Sequence, residues 1–280
     1  MKLIYNVDSN VGMMQGRLSD SPDGILDWFP ENCWEAEFNT ASKLGYGYIE
    51  LIAEKKHNPD NPIWTGSGMD MMRQVANATQ SKLSFLCNNY IIENAILKED
   101  ALVQLERIFR NCHLLGIQHV ILPFLEASEI KLKEMKVYSA VLKRHADFAW
   151  ELGINIHIET NLHGNDLLEF VSLVNAENVF ILIDTGNYNL YQFDIFRDID
   201  LFGNLIGHVH IKDRDTNGNN VLMGTGNVDF LKILTALHNI SYRGKFTFET
   251  NRGLNAVNTA KHNISFFDFL YHEASSLSAK

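Results

Sequence analysis

Glu159, Asp184, His210 and Glu249 are the residues whose types and spacing could together hold a divalent cation. Each stands at or near the end of a short apolar or alternating run: Asn155–Glu159, Val179–Asp184, Gly207–Lys212 and Lys245–Glu249. In a strand, side chains two apart share a face. Ile154, Ile156 and Ile158 therefore oppose Asn155, His157 and Glu159. Val209 and Ile211 oppose His208, His210 and Lys212, and Phe246 and Phe248 oppose Lys245, Thr247 and Glu249. The pattern is weaker around Asp184, which shares its face with Phe180 and Leu182 but is the first ionisable group its run reaches. Carboxylates gathered at one place raise one another's pKa unless a cation neutralises them. Three carboxylates and one imidazole suit Mn, Mg, Co or Zn as a single divalent ion. For any one residue alone, a loop-end position or half of a buried salt bridge is the competing explanation.

The elements that must position these groups follow from periodicity. Further strands are expected near Val11–Met14, Tyr48–Leu51, Leu83–Asn88 and His119–Phe124, making eight. Amphipathic helices are expected between them over Trp34–Leu44, Ala101–Leu115, Lys131–Leu152, Asp166–Val174 and Asp229–His238, with a last one over Ala256–His272. Strands alternating with helices point to parallel pairing through crossovers. Gly45, Gly116 and Gly153 each end an amphipathic run before a strand, where a helix C-cap belongs. The expected fold is one α/β domain over residues 1–280, a (β/α)8 TIM barrel, whose active site lies at the C-terminal strand ends. A doubly wound open sheet is the runner-up, but the GxGxxG phosphate fingerprint after the first strand is absent. A parallel barrel buries both faces of its strands, so the polar faces above must point into its interior.

Composition narrows the class. Apolar residues make up 46% and charged residues 21% of the 280, as in soluble globular proteins. The formal net charge of −10 argues against nucleic acid as a partner. No run approaches the length needed to span a bilayer, and the N-terminal stretch lacks a signal-peptide core. Three cysteines without a CxxC pair suit a reducing compartment, so the expected location is cytoplasmic.

Several motifs together resemble the xylose isomerase-like TIM barrel family, in its sugar phosphate isomerase/epimerase branch. They are MMQGRLS at Met13–Ser19, IELI after the second strand, HIETN at His157–Asn161, DTGN at Asp184–Asn187, HVHIKD at His208–Asp213, GTGNVDF at Gly224–Phe230 and FET at Phe248–Thr250. The resemblance implies a metal site at Glu159, Asp184, His210 and Glu249, the same four residues. It also implies one ion: Asn187 stands where many members carry a histidine, and Glu50 and Asn88 replace the extra ligands of the DNA-repair members.

The implied activity is a metal-dependent isomerase or epimerase of a ketose, sugar phosphate or related hydroxy-carbonyl compound, working through an enediolate. Glu159 and Glu249 are the implied acid and base. An inosose-type dehydratase is the alternative enzyme; an AP endonuclease and a non-catalytic sugar-binding relative come behind it. Arg17, Glu50, His163, Asn187 and Lys212 are candidate substrate contacts. Lys212 reads equally as a lysine at a strand end, and Arg17 as half of an ion pair near Asp20 or Asp23. The GTGNVD stretch reads as a phosphate-cradling turn or as a plain loop with Asp229 as helix N-cap. His157 and His208 are expected to be hydrogen-bonded core histidines one layer below the rim. The expected partner is a small-molecule sugar or sugar phosphate, with neither nucleic acid nor membrane. A homo-oligomer fits the fold type, though no residue marks an interface.

Overall fold

The computed structural model describes residues 10–278, apart from the side chain of Asp23. Its barrel strands are β1 (Val11–Met14), β2 (Tyr48–Ala53), β3 (Phe85–Asn88), β4 (His119–Phe124), β5 (Asn155–Thr160), β6 (Val179–Asp184) and β7 (Ile206–Ile211). A two-stranded hairpin follows, β8 (Asp213–Arg214) with β9 (Asn220–Val221), and β10 (Lys245–Phe248) is the eighth barrel strand. The ring closes in the order β1-β10-β7-β6-β5-β4-β3-β2, with parallel register between the paired strands. This is the expected closed (β/α)8 TIM barrel.

The helices are α1 (Trp34–Leu44), α2 (Gly66–Thr79), α3 (Tyr90–Glu93), α4 (Glu99–Leu115), α5 (Met135–Glu151), α6 (Gly164–Val174), α7 (Thr185–Tyr191), α8 (Ile195–Phe202), α9 (Phe230–Asn239) and α10 (Ala256–Ser278). Gly45 and Gly116 cap α1 and α4 in the left-handed conformation, with φ of 94° and 77°. Lys131 lies outside α5, because a 3₁₀ turn over Leu132–Glu134 precedes it. Asp229 is the N-cap of α9, not its first residue, and accepts from Lys232 N. Periodicity did not announce α2, whose first turn holds two glycines, or the short α7 and α8. No described helix is long and apolar enough to cross a membrane.

Two compact units arise from chain contacts: one comprises the described part of Met1–Ile49, Thr79–Lys82 and Ile183–Lys280, the other Glu50–Ala78 and Leu83–Leu182. In the first, the register sets Gly12 beside Thr247 and Thr247 beside His210, so these positions share the inward face. Gly12 is required there. A Cβ on it would lie 2.2 Å from the Tyr48 ring, which crosses the interior and donates its hydroxyl to Phe246 O at 2.9 Å. In the second unit the inward faces carry rings. Phe85 stacks on His119 with centroids 4.5 Å apart, and Phe180 stacks on His157 at 5.7 Å. Ile156 and Ile158 are fully buried on the opposite face of β5.

Candidate metal centre

Asp184 ends β6, His210 lies one residue from the end of β7, and Glu249 follows β10 directly. Because these strands neighbour one another in the ring, the alternation read from sequence brings three ligand types to one place. Each of the three residues offers a ligand atom within 4.8 Å of the others. His210 Nδ1 lies 3.2 Å from Glu249 Oε2 and 3.9 Å from Asp184 Oδ2. Asp184 and His210 are buried, and the Glu249 side chain is 13% exposed. Asp184 is also the N-cap of α7. Its Oδ1 accepts from Asn187 N at 2.7 Å, which fixes the carboxylate and turns Oδ2 towards His210.

Two cations crowd the same carboxylates. Lys212 Nζ sits 3.0 Å from Asp184 Oδ2 and 2.7 Å from Glu249 Oε1. Arg17 Nη2 lies 3.4 Å from Glu249 Oε1 and 2.9 Å from Asp27 Oδ1. Burial pushes the Asp184 carboxyl above the usual carboxylate range, against the pull of Lys212. Burial would also raise Glu249, but Lys212, His210 and Arg17 outweigh it and hold that carboxyl well below the usual range. Opposite charge at close range favours the ionised form, and here it favours the better-paired carboxylate.

Arg17 is presented by a loop that a buried carboxylate shapes. Glu37 on α1 accepts from Gly16 N at 2.7 Å, Leu18 N at 2.9 Å and the Ser19 hydroxyl at 2.8 Å. Burial raises the Glu37 carboxyl, while these bonds and Arg252 work against the rise. Arg17 is 2% exposed, and its Nε and Nη1 have no hydrogen-bond partner among the described residues. Among the described side chains its acidic partners are Asp27 and Glu249 rather than Asp20, and the Asp23 side chain lies outside the described residues. Glu37 and Asp27 were not singled out in the sequence, since nothing in α1's amphipathic pattern reveals which acid turns towards a distant loop.

Asp213 corrects the phosphate-cradle reading of GTGNVD. Its carboxylate is fully buried and accepts from Gly224 N and Gly226 N, each at 2.9 Å, and from Val228 N at 3.2 Å. The backbone donors that a phosphate would need are already held by this side chain. The motif is a loop tied to the end of the barrel.

The other sequence candidates divide by location. Asn187 lies in α7, and its Oδ1 accepts from Arg214 Nη2 at 3.3 Å. In the second unit, Glu159 is buried near the C-terminal end of β5 beside Pro123 of β4, and Glu50 is buried in β2. His163 is exposed as the N-cap of α6 and lines a cavity of about 530 Å³ with Lys131, Asn161 and Asp166. The two lower histidines are core residues, as expected. His157 meets His119 Nδ1 at 2.9 Å, and His208 meets the Thr247 hydroxyl at 3.0 Å.

Comparison with known proteins adds to this geometry. A family model described as a xylose isomerase-like TIM barrel matches residues 38–270. An L-ribulose 3-epimerase of Methylomonas sp. (strain DH-1) is 32% identical over 149 residues, 50% of this chain and 51% of that protein. A ketose 3-epimerase of Arthrobacter globiformis is 33% identical over 119 residues, 40% of each chain. The chain spans about half, or less, of the length of the curated relatives it matches. A crystal structure of a D-allulose 3-epimerase from Methylomonas sp. superposes with a TM-score of 0.75 at 20% identity, covering 93% of this chain and 97% of that one, a likeness of fold.

Proposed function

The chain belongs to the xylose isomerase-like TIM barrel family, and on that footing we propose that it is a divalent-metal-dependent epimerase or isomerase acting on a ketose or ketose phosphate. The observation that carries the reading is the buried Asp184, His210 and Glu249 set with ligand atoms within 4.8 Å. Glu159 joins them as fourth ligand in this proposal. Its support is burial near the C-terminal end of β5, the strand next to β6 in the ring. Carboxylate oxygens with one imidazole suit a borderline-to-hard ion, and a carboxyl as buried as Asp184 is stabilised by a cation. The donor set therefore fits one Mn, Mg, Co or Zn ion.

A bound ion would supply Lewis acidity towards the carbonyl and hydroxyl of the sugar. The residues of the chain do the rest. Glu249, kept ionised by Lys212 and Arg17, accepts the proton from the carbon beside the carbonyl. Glu159 returns a proton to the opposite face, which inverts that carbon. Arg17, Glu50, His163 and Asn187 orient the sugar oxygens; the buried Nε and Nη1 of Arg17 favour an oxygen-rich partner. The barrel acts as one catalytic domain on a small sugar in the cytoplasm, without nucleic acid or membrane, and homo-oligomer formation belongs to the same proposal.

The test is incubation of chelator-stripped protein in D₂O with a panel of ketoses and ketose phosphates. Mn²⁺, Mg²⁺, Co²⁺ and Zn²⁺ are added separately and the reaction is followed by proton NMR. Deuterium entering beside the carbonyl together with an epimeric or isomeric product is the expected result. Loss of water from the sugar, or no exchange with any substrate and ion, overturns the reading.

A further inference from the structure

We propose that Lys212 is a built-in counter-cation that holds the Asp184 and Glu249 carboxylates in the metal-free protein and weakens the centre's grip on its ion. The ammonium touches both carboxylates, at 3.0 Å and 2.7 Å, and the residue is 5% exposed. It is held there by the DTGN stretch. The Thr185 hydroxyl donates to Lys212 O at 2.7 Å and accepts from Lys212 N at 2.9 Å, clamping the backbone. The stem lies flat on Gly186, where a Cβ would come within 2.8 to 2.9 Å of Lys212 Cγ, Cβ and Cδ. Lys212 directly follows β7, and the Thr185 clamp and the glycine floor together aim its charge at the carboxylates.

The remaining oxygens of the pair are engaged elsewhere. Asp184 Oδ1 accepts from Asn187 N, and Glu249 Oε2 faces His210 Nδ1. Without an ion, two buried carboxylates would repel each other, and the ammonium between them removes most of that cost. An ion entering among Asp184, His210 and Glu249 binds the same two carboxylates and so meets a fixed positive charge. Like charges a few ångströms apart in a largely buried site repel strongly. The lysine therefore stabilises the stripped fold and keeps the ion exchangeable. Its role is directed at the carboxylates and not at the sugar.

The inference rests on the metal-centre reading, and calorimetric titration with Mn²⁺ separates the two. Wild-type protein, stripped by chelator, binds about one ion per chain; no binding of any divalent ion overturns the centre itself. Lys212→Met keeps the stem and removes the charge, and it is expected to bind Mn²⁺ at least about tenfold more tightly, from loss of repulsion. The metal-free variant melts below metal-free wild type, and saturating Mn²⁺ restores it. Unchanged or weaker Mn²⁺ affinity overturns the inference, as does an equal fall in melting temperature with and without the ion. If Lys212→Met does not fold, Gly186→Ala displaces the stem while keeping the charge, and the same tightening is expected. Wild-type affinity in Gly186→Ala would then be the overturning result.

Discussion

Removing the Asp213 carboxylate tests how the loop beside the centre is held. The side chain is fully buried and accepts three backbone N–H bonds, at 2.9, 2.9 and 3.2 Å. A hydrogen bond to a charged group contributes about 1.5–3 kcal/mol, and an abandoned buried donor costs a similar amount. The three donors are only partly buried, so Asp213→Ala is expected to cost roughly 3–5 kcal/mol in total, near the lower end of three such bonds. For a chain of this size each kcal/mol moves the melting temperature by about 2–4 °C, giving a fall of roughly 6–20 °C. Asp213→Asn keeps one acceptor oxygen for Gly224 and Gly226 but turns an amide NH₂ against Val228 N, so its loss is about half as large. Melts followed by circular dichroism, with urea titrations for the free energy, measure both variants. The loop follows β9, where Asn220 Nδ2 reaches Glu249 O at 3.4 Å, so kcat is expected to fall in parallel. A melting temperature within about 2 °C of the parent for Asp213→Ala would refute the anchor argument, since that shift corresponds to less than a single such bond.

Other perturbations have equally definite outcomes. Glu249→Gln retains part of the metal affinity but lowers kcat by roughly 10²–10⁴, the usual range for a lost acid–base group; full turnover of any accepted sugar would sink the assignment. Saturating Mn²⁺ at about a hundred times its dissociation constant stabilises the stripped protein by roughly 2.7 kcal/mol, and a melting curve indifferent to the ion argues against a resident metal. Gly12→Ala forces a methyl to 2.2 Å from a Tyr48 ring whose hydroxyl is already bonded. Such overpacking costs roughly 1–3 kcal/mol in a urea titration, and a neutral result would mean the ring moves freely.

Much of the barrel and part of the centre were legible in the linear chain. Strand alternation has a period of two, so counting puts Glu159, His210 and Glu249 on the polar faces of their strands, and the expectation of a parallel barrel turns those faces inward. The placement of Asp184 at a strand end needed only the length of the apolar run Val179–Asp184. Helix ends were legible where a glycine must take the left-handed conformation, as at Gly45. By contrast, α2 was missed because two glycines in its first turn read as loop although Met69, Met72 and Ala76 form a buried stripe, and α7 because seven residues are too few to show a period.

Only the tertiary structure decided which charges meet. Lys212 read as a substrate contact or a strand-end lysine, yet its ammonium lies between Asp184 and Glu249 because Thr185 and Gly186 hold it there. Arg17 read as a substrate contact or as half of an ion pair with a nearby acid, and it pairs with Asp27 and with Glu249, the latter 232 residues away. Asp213 was invisible as the anchor of Gly224–Val228, because a carboxylate and a glycine-rich turn show no periodic relation along the chain. Alternation and capping are local, fixed within a few residues by backbone sterics. Ion pairing and carboxylate anchoring depend on distances across the barrel, which the linear order of residues does not encode.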